Sequence, residues 1–484
     1  MSEQILVNVT GDEVRIAFLS GGHVREISIE RQSHPTLTGN IYCGRVRRLL
    51  PGLGAIFVEV GLSRPGFLHE TDILPKAFGI SGPLKVGSLL PVQVSRDPLG
   101  SKGPRLVTRF SLPGHFLVLT PDDFRVAVSQ KIVVMGKENP ESARLLSLIK
   151  PSRYGGYIIR TAAQGVSLDL LLAEQQRLDQ LWEGIQSRFA SATPPECLYA
   201  APPIFLRLLR DRVGDPQNSK KTEILVDDPA IFEIMRTYAA EWFPDIHGQI
   251  HFYDSTEPLF ALGETEKTLK QALERRVPLK SGGHVVFDQT EAMVTIDVNS
   301  GSSLAIRRAA DALFRTNLEA VEVIAREVRL RNLGGIIIID FIDLPEPQLQ
   351  AELLESLKKA FADDTVQTTF SELTRLGLVQ MTRKRTGRSL LHSLCDPCPL
   401  CKQSGVISSV ETVAHDILRA LKLRAAAAGN GFRVQLSPEV ADYLLKEESL
   451  MLSVLETQFS TKVELCGDAR YGRDSWDILP CSRG

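Results

Sequence analysis

The chain of 484 residues is too long for one domain, and a typical domain length of roughly 100–200 residues predicts about three to five domains. Hydrophobic residues make up 43% and charged residues 24%, as in an ordinary soluble globular protein. The formal net charge of −2 excludes a chain that is basic throughout, so any nucleic-acid surface must be a local basic face that acidic residues offset elsewhere.

The sequence shows no pattern typical of export or of a membrane protein. Its start, MSEQILVNVT, is polar and lacks a basic segment before a long apolar run, so no signal peptide is expected. Apolar stretches such as residues 336–339 are too short to span a bilayer. Three of the seven cysteines lie within seven residues, which favours a metal site in a reducing compartment over a disulfide scaffold. We therefore expect a cytoplasmic protein.

The first quarter of the chain has the pattern of short β-strands. Residues 1–38 alternate apolar and polar side chains, with turn residues at Gly11-Asp12 and Gly21-Gly22, and this predicts β-hairpins. From about residue 39 to 110, some five short strands with glycine turns predict a small barrel. Phe57 and Phe67 could stack bases on its surface, or they could belong to its core. The nearby basic residues are Arg45, Arg47, Arg48 and Lys102.

The segments after residue 112 have strand and helix patterns, interrupted by one proline-rich stretch. Residues 113–205 combine predicted strands with an amphipathic helix at about 168–189. The proline-rich stretch 192–203 is predicted to be a linker. Residues 205–272 return to α/β patterning. A larger α/β domain is predicted at 273–394 and a small α+β domain at 409–484.

A strand–helix–strand pattern in the third quarter brings two aspartates to comparable positions. The run MVTI at residues 293–296 ends in Asp297, and the run IIII at 336–339 ends in Asp340. An amphipathic helix lies between them, and we expect Gly334-Gly335 to end it. Because a helical crossover joins parallel strands, both strands finish at the sheet edge where open α/β sheets bind ligands. Asp297 and Asp340 are therefore expected to lie close together.

Two carboxylates at one sheet edge are hard oxygen ligands that suit Mg²⁺, which could activate a phosphodiester for hydrolysis. Asn299 is expected on the same face as Asp297, where its amide could donate a hydrogen bond to the phosphate. The alternative is that each aspartate only caps the turn after its strand, which is less common for two at equivalent strand ends. The nine histidines form no motif, so a histidine-based mechanism finds no support.

A cysteine cluster follows the predicted α/β domain. Cys395, Cys398 and Cys401 are spaced as in a zinc knuckle, with turn residues between them. A structural zinc ion needs four ligands, and no second C-x₂-C motif follows. Either His392 completes a one-chain site with the three thiols, or Cys398 and Cys401 supply half of a site and a second chain supplies the rest. The remaining alternative is a set of free, buried thiols.

Upstream of the cysteines lies the basic run TRKRT at residues 382–386. Such a run could hold RNA phosphates near the two aspartates. As an isolated feature, a charge run is more often a solvated face.

Taken together, these segments resemble the catalytic part of the ribonuclease E/G family. The phrases FDQTEAMVTIDVNSG, GGIIIIDFIDL, LGLVQMTRKRTGRSL and CPLC occur in the family's order. Further matching phrases are AIFVEVG, GFLHETDI, KGPRL, LPGHFLVLTP and IIRTA, so the resemblance covers nearly the whole chain. Without a long C-terminal tail, the chain is expected to be more similar to the shorter members.

The resemblance implies a multidomain α/β and α+β architecture. An RNase H-like domain would be interrupted by an OB-fold barrel and a sensor domain, before a DNase I-like catalytic domain, a zinc link and a small dimerisation domain. In that order the expected boundaries are 1–38 with 205–272, 39–112, 113–204, 273–394, 395–408 and 409–484.

The resemblance also implies roles for particular residues. The Mg²⁺-binding aspartates of the family match Asp297 and Asp340, and the accompanying amide matches Asn299. The zinc-link thiols, two from each chain, match Cys398 and Cys401. The remaining matches are Phe57, Phe67 and Lys102 for RNA binding, and Gly114, Val118, Arg160 and Thr161 for a pocket that recognises a 5′-monophosphate. An arginine of that pocket falls on Gln367, which predicts weaker end-sensing.

The function implied is Mg²⁺-dependent endoribonucleolytic cleavage of single-stranded RNA in rRNA processing and mRNA decay, leaving 5′-phosphate ends. Splayed bases of single strands can stack on an aromatic platform. The implied cofactors are Mg²⁺ and Zn²⁺, and the implied partners are RNA and a second copy of the chain in a homodimer or larger homo-oligomer. The alternative is a non-catalytic RNA-binding factor in ribosome assembly, and a DNA endonuclease is a weaker third hypothesis.

Overall fold

The computed structural model describes residues 3–73, 84–98, 102–121, 123–129, 140–213, 222–243, 246–301, 309–374, 376–401, 405–427 and 431–481. The chain divides into two compact units, Met1–Leu394 and Cys395–Gly484. Across the described ranges, no helix is both long enough and apolar enough to cross a membrane.

The chain begins with two consecutive hairpins. Strands β1 (Glu3–Thr10), β2 (Glu13–Ser20) and β3 (His23–Arg31) pair antiparallel in that order. Gly21 and Gly22 both have positive φ, which two-residue turns need in order to match the twist of the flanking strands. The hairpins predicted for the first 38 residues are confirmed.

Five strands then form a closed barrel. They are β4 (Ile41–Leu50), β5 (Ala55–Glu59), β6 (Gly66–His69), β7 (Leu89–Arg96) and β8 (Arg105–Val107). Their order is β4-β5-β6-β8-β7, and β7 pairs again with β4. The interior is apolar and includes the fully buried side chains of Val58, Leu68 and Leu90. The barrel is OB-like, as predicted.

A second sheet and a long helix follow the barrel. The elements are β9 (Leu112–Pro113), β10 (Leu117–Pro121), β11 (Ala127–Val128), α1 (Pro140–Leu148), β12 (Gly155–Ile159), α2 (Leu168–Ser191) and β13 (Glu196–Tyr199). The sheet has the order β11-β12-β10-β9, and Tyr157 of β12 and Trp182 of α2 share its core. The prediction that residues 192–203 are only a linker is wrong, because β13 lies within them and pairs with β4.

The chain then returns to the first sheet. The next elements are α3 (Ile204–Leu208), a π-helical turn (Leu209–Val213), β14 (Thr222–Val226), α4 (Pro229–Trp242), β15 (Ile250–Phe252) and α5 (Thr265–Gln271). Strand β14 pairs parallel with β1, which gives the sheet order β15-β14-β1-β2-β3. Short 3₁₀ helices occur at Pro51–Leu53, Glu70–Asp72, Thr161–Ala163, His247–Gln249 and Leu259–Glu264.

The last sheet of the first unit carries the candidate active site. Its elements are β16 (Arg276–Pro278), β17 (His284–Gln289), β18 (Met293–Asn299), α6 (Ala309–Leu330), β19 (Gly335–Asp340), α7 (Pro347–Ala360), β20 (Thr368–Phe370) and β21 (Leu378–Arg383). Helix α8 (Leu390–Leu394) ends the unit. The sheet order is β16-β17-β18-β19-β21-β20, and β18 pairs parallel with β19, as predicted.

Helix α6 is the crossover between the two parallel strands. Its apolar stripe buries Val321, Ala325 and Val328 in the core of the sheet. The prediction that Gly334-Gly335 ends the helix is wrong. Asn332 has a left-handed backbone with φ of 50°, and the Leu333 N–H donates to the Val328 carbonyl, so a Schellman-type cap closes the helix earlier.

The second unit is a small mixed α/β domain. Its elements are α9 (Val410–Ala427), β22 (Gly431–Leu436), α10 (Pro438–Lys446), α11 (Ser449–Phe459), β23 (Val463–Gly467) and β24 (Trp476–Cys481). Strand β22 pairs parallel with β23 and antiparallel with β24. Ile417, Val434 and Leu444 are fully buried in the core between the helices and this sheet.

Candidate active site

Asp297 and Asp340 face each other across the parallel strand pair. They are register partners at the carboxyl ends of β18 and β19, and both are exposed. The preceding residues Ile296 and Ile339 are also register partners and are fully buried. Because side chains alternate between the faces of a strand, the burial of the isoleucines directs both carboxylates away from the core. The structure thus brings the two predicted residues together.

Asn299 lies on the same face as Asp297, as predicted. Its Nδ2 donates a hydrogen bond to Oδ2 of Asp297 at 2.6 Å. The amide therefore orients this carboxylate in the structure, whereas the sequence analysis assigned it to a phosphate.

The carboxylates line a cleft of about 310 Å³. Its walls come from the ends of the two strands: Asp297, Val298, Asn299, Ser300, Asp340, Phe341, Ile342 and Asp343. Asp343 is a third carboxylate to which the sequence analysis gave no role. The sequence feature that could have pointed to Asp343 is its position three residues after Asp340, in the loop that leaves the strand.

The electrostatics of the cleft favour a cation. Partial burial, together with the neighbouring carboxylates of Asp297 and Asp343, raises the pKa of Asp340. No group of three histidine, cysteine, aspartate or glutamate side chains in the described part of the chain is close enough to hold a metal ion. Two facing carboxylates nevertheless fit Mg²⁺, which keeps several waters and binds through one or two carboxylates and substrate phosphates.

The basic run at 382–386 does not lie beside the carboxylates. Strand β21 is antiparallel to β19, so Leu378 is the register partner of Asp340 and Arg383 lies opposite Gly335. At about 3.4 Å per residue, Arg383 is roughly 17 Å along the strand from Asp340. Its Nε is buried and 2.8 Å from Oδ2 of Asp364. The predicted phosphate contact near the carboxylates is therefore wrong for Arg383, which is a structural ion-pair partner.

The cysteine cluster presents two thiols on one turn. Backbone N–H groups of Cys401 and Leu400, with the Cys401 side chain, lower the pKa of Cys398. Hydrogen bonds of this kind stabilise the thiolate form that binds zinc. Cys395 is exposed, and Nδ1 of His392 is 2.8 Å from Oγ of Ser389.

Phe57 and Phe67 lie on the surface of the barrel. They are register partners on β5 and β6, are half-buried, and have ring centroids 6.0 Å apart. The cross-strand row continues to Arg48 on one side and Arg105 on the other. The Arg105 guanidinium lies 6.0 Å from the Phe67 ring centroid and 2.9 Å from Asp72. Lys102 is exposed.

This row combines rings with arginines on one face of the barrel. Arg105 was not among the basic residues that the sequence analysis selected. Its signal was the alternating pattern of β8, which places it on the same face as Phe67.

Two of the predicted sensor residues, Arg160 and Gly114, belong to one network of ion pairs and hydrogen bonds. Nη1 of Arg160 donates to the Gly114 carbonyl at 2.7 Å, and Nη2 lies 2.9 Å from Oδ1 of Asp211. Arg210 also binds Asp211, with Nη2 2.8 Å from Oδ2. Val118 pairs with Ile158 on β12, and exposed Thr161 follows Arg160 directly. The structure therefore joins Arg160 to Gly114 but already supplies Arg160 with an anionic partner.

Position 114 requires glycine because the Glu174 side chain approaches its backbone closely, a contact that the sequence did not reveal. A Cβ there would lie 2.8 Å from the carboxylate of Glu174. Glu174 is 3% exposed and accepts backbone N–H groups of His115, Phe116 and Leu117. Burial raises the pKa of Glu174 against the opposing effect of these donors. The sequence feature that could have revealed Glu174 is the presence of a charged residue on the apolar stripe of α2.

Gln367 lies just before β20 and is exposed. Its carbonyl accepts the Lys384 N–H at 3.0 Å. The prediction that a glutamine here weakens end-sensing stays a prediction.

The fold and the cleft define a multidomain mixed α/β protein with an OB-like barrel and an acidic site at a parallel strand pair. The sequence profile of the Ribonuclease E/G family matches residues 111–386, and that of the RNase E/G thioredoxin-like domain matches residues 397–480. The chain belongs to the ribonuclease E/G family, and its C-terminal domain is thioredoxin-like.

Individual relatives align with nearly the entire chain. Ribonuclease G of Salmonella typhimurium (strain SL1344) is 39% identical over 99% of this chain and 100% of its own length. Ribonuclease G of Escherichia coli (strain K12) is 38% identical over the same shares. Ribonuclease E of Escherichia coli (strain K12) is 32% identical over 94% of this chain but only 44% of its own length.

Proposed function

We propose that this chain is a metal-dependent endoribonuclease that cleaves single-stranded RNA in rRNA processing and mRNA decay. The observation that carries the proposal is the facing pair Asp297 and Asp340 in a chain that belongs to the ribonuclease E/G family. Relatives that match along their whole length carry the name Ribonuclease G, which supports an RNA-processing role. A non-catalytic ribosome-assembly factor is not favoured, because such a factor has no need to keep both carboxylates.

In the proposed mechanism, Asp297 and Asp340 would hold Mg²⁺ at the sheet edge. When bound, the ion supplies Lewis acidity at the scissile phosphodiester. Asn299 keeps Asp297 oriented through its 2.6 Å hydrogen bond. Asp343 adds negative charge to the same cleft and so increases the preference for a cation. Together these side chains would hold the cation at the carboxyl edge of the parallel pair, where it would be available to a substrate phosphate.

The barrel face is the proposed platform for single-stranded RNA. Bases would stack on Phe57 and Phe67, and Lys102 and Arg105 would contact phosphates. Double-stranded RNA hides its base faces, so this surface favours unpaired segments. The support comes from the row of two half-buried rings and flanking arginines across adjacent strands.

For the domain arrangement, we propose the boundaries that the family resemblance implies. An RNase H-like domain would join residues 1–38 with 205–272, which is supported by the sheet of β1–β3 with β14 and β15. The proposed DNase I-like domain at 273–394 contains the six-stranded sheet with the acidic cleft. The proposed OB-fold and sensor domains at 39–112 and 113–204 would correspond to the barrel and to the sheet packed on α2.

A pocket for a 5′-monophosphate is proposed around Arg160 and Thr161, next to Gly114 and Val118. An arginine can bind a terminal phosphate through two parallel hydrogen bonds, and a threonine hydroxyl adds a donor. The contact between Arg160 and the Gly114 carbonyl supports a shared pocket. Because Asp211 already binds Arg160, the preference for a 5′-monophosphate should be modest.

The zinc link at 395–408 is proposed to be shared between two chains of a homodimer. Cys398 and Cys401 would provide two of four thiolate ligands, and the N–H groups directed at Cys398 support this assignment. We expect Cys398→Ser to release zinc and weaken the dimer together, because a shared site couples metal binding to association. One zinc ion per two chains supports the shared site, whereas one per chain supports the alternative with Cys395 and His392.

The decisive experiment compares purified protein on matched RNA and DNA oligonucleotides with and without Mg²⁺. We expect internal cleavage of single-stranded RNA that requires Mg²⁺ and leaves 5′-phosphate ends. Cleavage of DNA at an equal rate would favour a DNA endonuclease. RNA binding without cleavage at any Mg²⁺ concentration would favour the assembly factor.

A further inference from the structure

A buried amide of helix α6 holds the loop that leaves the proposed active-site strand. Asn317 has no exposed surface. Its Nδ2 donates to the Ile342 carbonyl at 2.8 Å, and its Oδ1 accepts the Ile342 N–H at 3.1 Å. The side chain thus pairs with both backbone groups of one residue, as a neighbouring strand would.

The residue that Asn317 holds lies between two carboxylates of the cleft. Ile342 follows Asp340 by two positions and precedes Asp343 directly. The intervening Phe341 is 7% exposed and anchors the loop in the core. Because like charges repel, the carboxylates of the cleft tend to move apart unless the backbone between them is fixed. The Asn317 amide supplies this constraint from outside the cleft.

The same helix also braces the other side of the cleft. The carboxylate of Glu319 accepts the backbone N–H groups of Lys280 and, at 3.0 Å, of Ser281. The next residues approach the end of β18 so closely that a Cβ at Gly283 would lie 2.5 Å from the Asn299 carbonyl oxygen. Glu319 therefore fixes a loop that packs against the first half of the site.

We infer that Asn317 is a positioning residue for the proposed metal site, and that Glu319 is its weaker counterpart on the opposite loop. The inference deepens the proposed function and rests on its metal dependence. Neither residue lines the cleft. Each acts through backbone hydrogen bonds that hold a segment next to the strand ends carrying Asp297 and Asp340, because metal ligands must be fixed within a fraction of an ångström to bind well.

The main test exchanges the amide for a carboxylate of the same shape. Asn317→Asp keeps the acceptor but loses the donor to Ile342. Outer-shell partners of metal ligands contribute about 10–100-fold in metal affinity or activity. We expect Asn317→Asp to lower kcat and to raise the Mg²⁺ concentration for half-maximal rate by about tenfold or more, with KM for RNA little changed. Excess Mg²⁺ should partly restore the rate.

A measurement of metal binding, which does not depend on catalytic activity, separates this inference from the proposed reaction. Mn²⁺ binding, followed by electron paramagnetic resonance, should weaken about tenfold in Asn317→Asp relative to the wild-type chain. If the wild-type chain binds Mn²⁺ but does not cleave RNA, the proposed function fails, and the inference stands when Asn317→Asp still binds Mn²⁺ more weakly. If Asn317→Asp binds Mn²⁺ as the wild type does, the inference is overturned.

The matched control is Asn332→Asp. Asn332 also donates a side-chain hydrogen bond to a backbone carbonyl, that of Arg388 at 3.1 Å, but it lies beyond the other end of α6. We expect a lower unfolding midpoint for both variants and a changed Mg²⁺ requirement for Asn317→Asp alone. An equal change in the control would mean that general destabilisation, and not positioning, is responsible.

Glu319→Gln provides a second test of the inference if Asn317→Asp does not fold. Glu319 is half-buried and not part of the core, so the fold should tolerate the exchange. Its amide oxygen can still accept one of the two backbone N–H groups, but its amide nitrogen is a donor and cannot accept the other, so one bond is lost and the remaining one becomes neutral. We expect the half-saturating Mg²⁺ concentration to rise about twofold to fivefold, as for the loss of one weak hydrogen bond. An unchanged Mg²⁺ requirement would overturn the role of this loop contact.

Discussion

The acidic cleft and the arginine network of the proposed sensor differ in how their charges are balanced. In the cleft, Asp340 faces Asp297, and the pKa of Asp340 is raised by partial burial and by the carboxylates of Asp297 and Asp343. Around Arg160 the charges are opposite, since Arg160 and Arg210 both bind Asp211. A cation entering the cleft relieves repulsion, whereas a phosphate reaching Arg160 must share or displace an existing carboxylate.

This difference predicts how strongly each region depends on its ligand, which is a cation for the cleft and a phosphate for the arginine network. Two like charges that strand register holds together repel each other, and a bound counter-ion lowers the free energy of the pair. An arginine that already has an anionic partner gains only the difference between two anions. Substitutions in the cleft should therefore have large effects, and those in the network should have smaller ones.

The largest effect is expected from Asp297→Asn and Asp340→Asn. Each removes a proposed metal ligand, which should cost about 3 kcal/mol or more of transition-state stabilisation, or at least about 100-fold in kcat. RNA affinity should persist because the barrel face is unchanged. Single-turnover kinetics and filter binding measure the two quantities. The control is Asp288→Asn on β17, an exposed ion-pair partner of Arg275. Near-wild-type cleavage by either cleft variant would exclude the assigned metal site.

The next largest effect is expected from Arg160→Ala. A charge-assisted hydrogen bond contributes about 1.5–3 kcal/mol, which is enough for its loss to abolish the modest preference for 5′-monophosphorylated over 5′-hydroxyl RNA. The measurement is the ratio of kcat/KM on the two substrates. Arg153→Ala removes another arginine of the same region, one that lies over the Tyr154 ring, and should leave the ratio unchanged. A ratio that survives in Arg160→Ala would place the sensor elsewhere.

Asp211→Asn tests whether the carboxylate competes with the RNA end. Removing its charge should free Arg160 for a phosphate and raise the kcat/KM ratio several-fold, by about 1 kcal/mol. The thermal unfolding midpoint should fall slightly because Arg210 also loses its partner. A lower ratio would mean that Asp211 orients Arg160 and does not compete with the phosphate.

The smallest effect is expected from Gln367→Arg. An added guanidinium would supply the charge that a glutamine lacks, and the ratio should rise about twofold to fivefold. Gln367→Leu, which adds no charge, serves as the comparison. If the ratio does not respond, another cation already serves the 5′ end, and Arg210 is the candidate because it shares Asp211 with Arg160.

The sequence predicted the cleft better than it predicted the surroundings of the cleft. Asp297 and Asp340 could be paired because a helical crossover makes the two strands parallel, and that rule needs no further contacts. The position of Arg383 could not be predicted in the same way. Whether β21 runs parallel or antiparallel to β19 depends on the path of the intervening chain, and that direction moves Arg383 from one end of the sheet to the other.

Other differences have equally local causes. The proline-rich composition of residues 192–203 concealed β13, which forms because β4 offers it an edge. Asn332 ends α6 before the two glycines because asparagine tolerates left-handed backbone. Glu174 and Asn317 were missed because their partners are backbone groups distant in sequence. Hydrophobic periodicity indicates which face is buried, but it does not indicate which buried polar group will find a partner.

The parallel pairing of β1 with β14 has a consequence for the order in which a nascent chain can fold. Glu3 is the register partner of Thr222, and Asn8 binds Asp227 although 219 positions separate them. At about 5–20 residues per second, the ribosome delivers β14 roughly 10–45 s after β1. The barrel strands between Ile41 and Val107 can close within that interval, while β1 still presents an unpaired edge. Pausing of synthesis between the barrel and β14 should therefore prolong the time during which the edge of β1 is open to pairing with another chain.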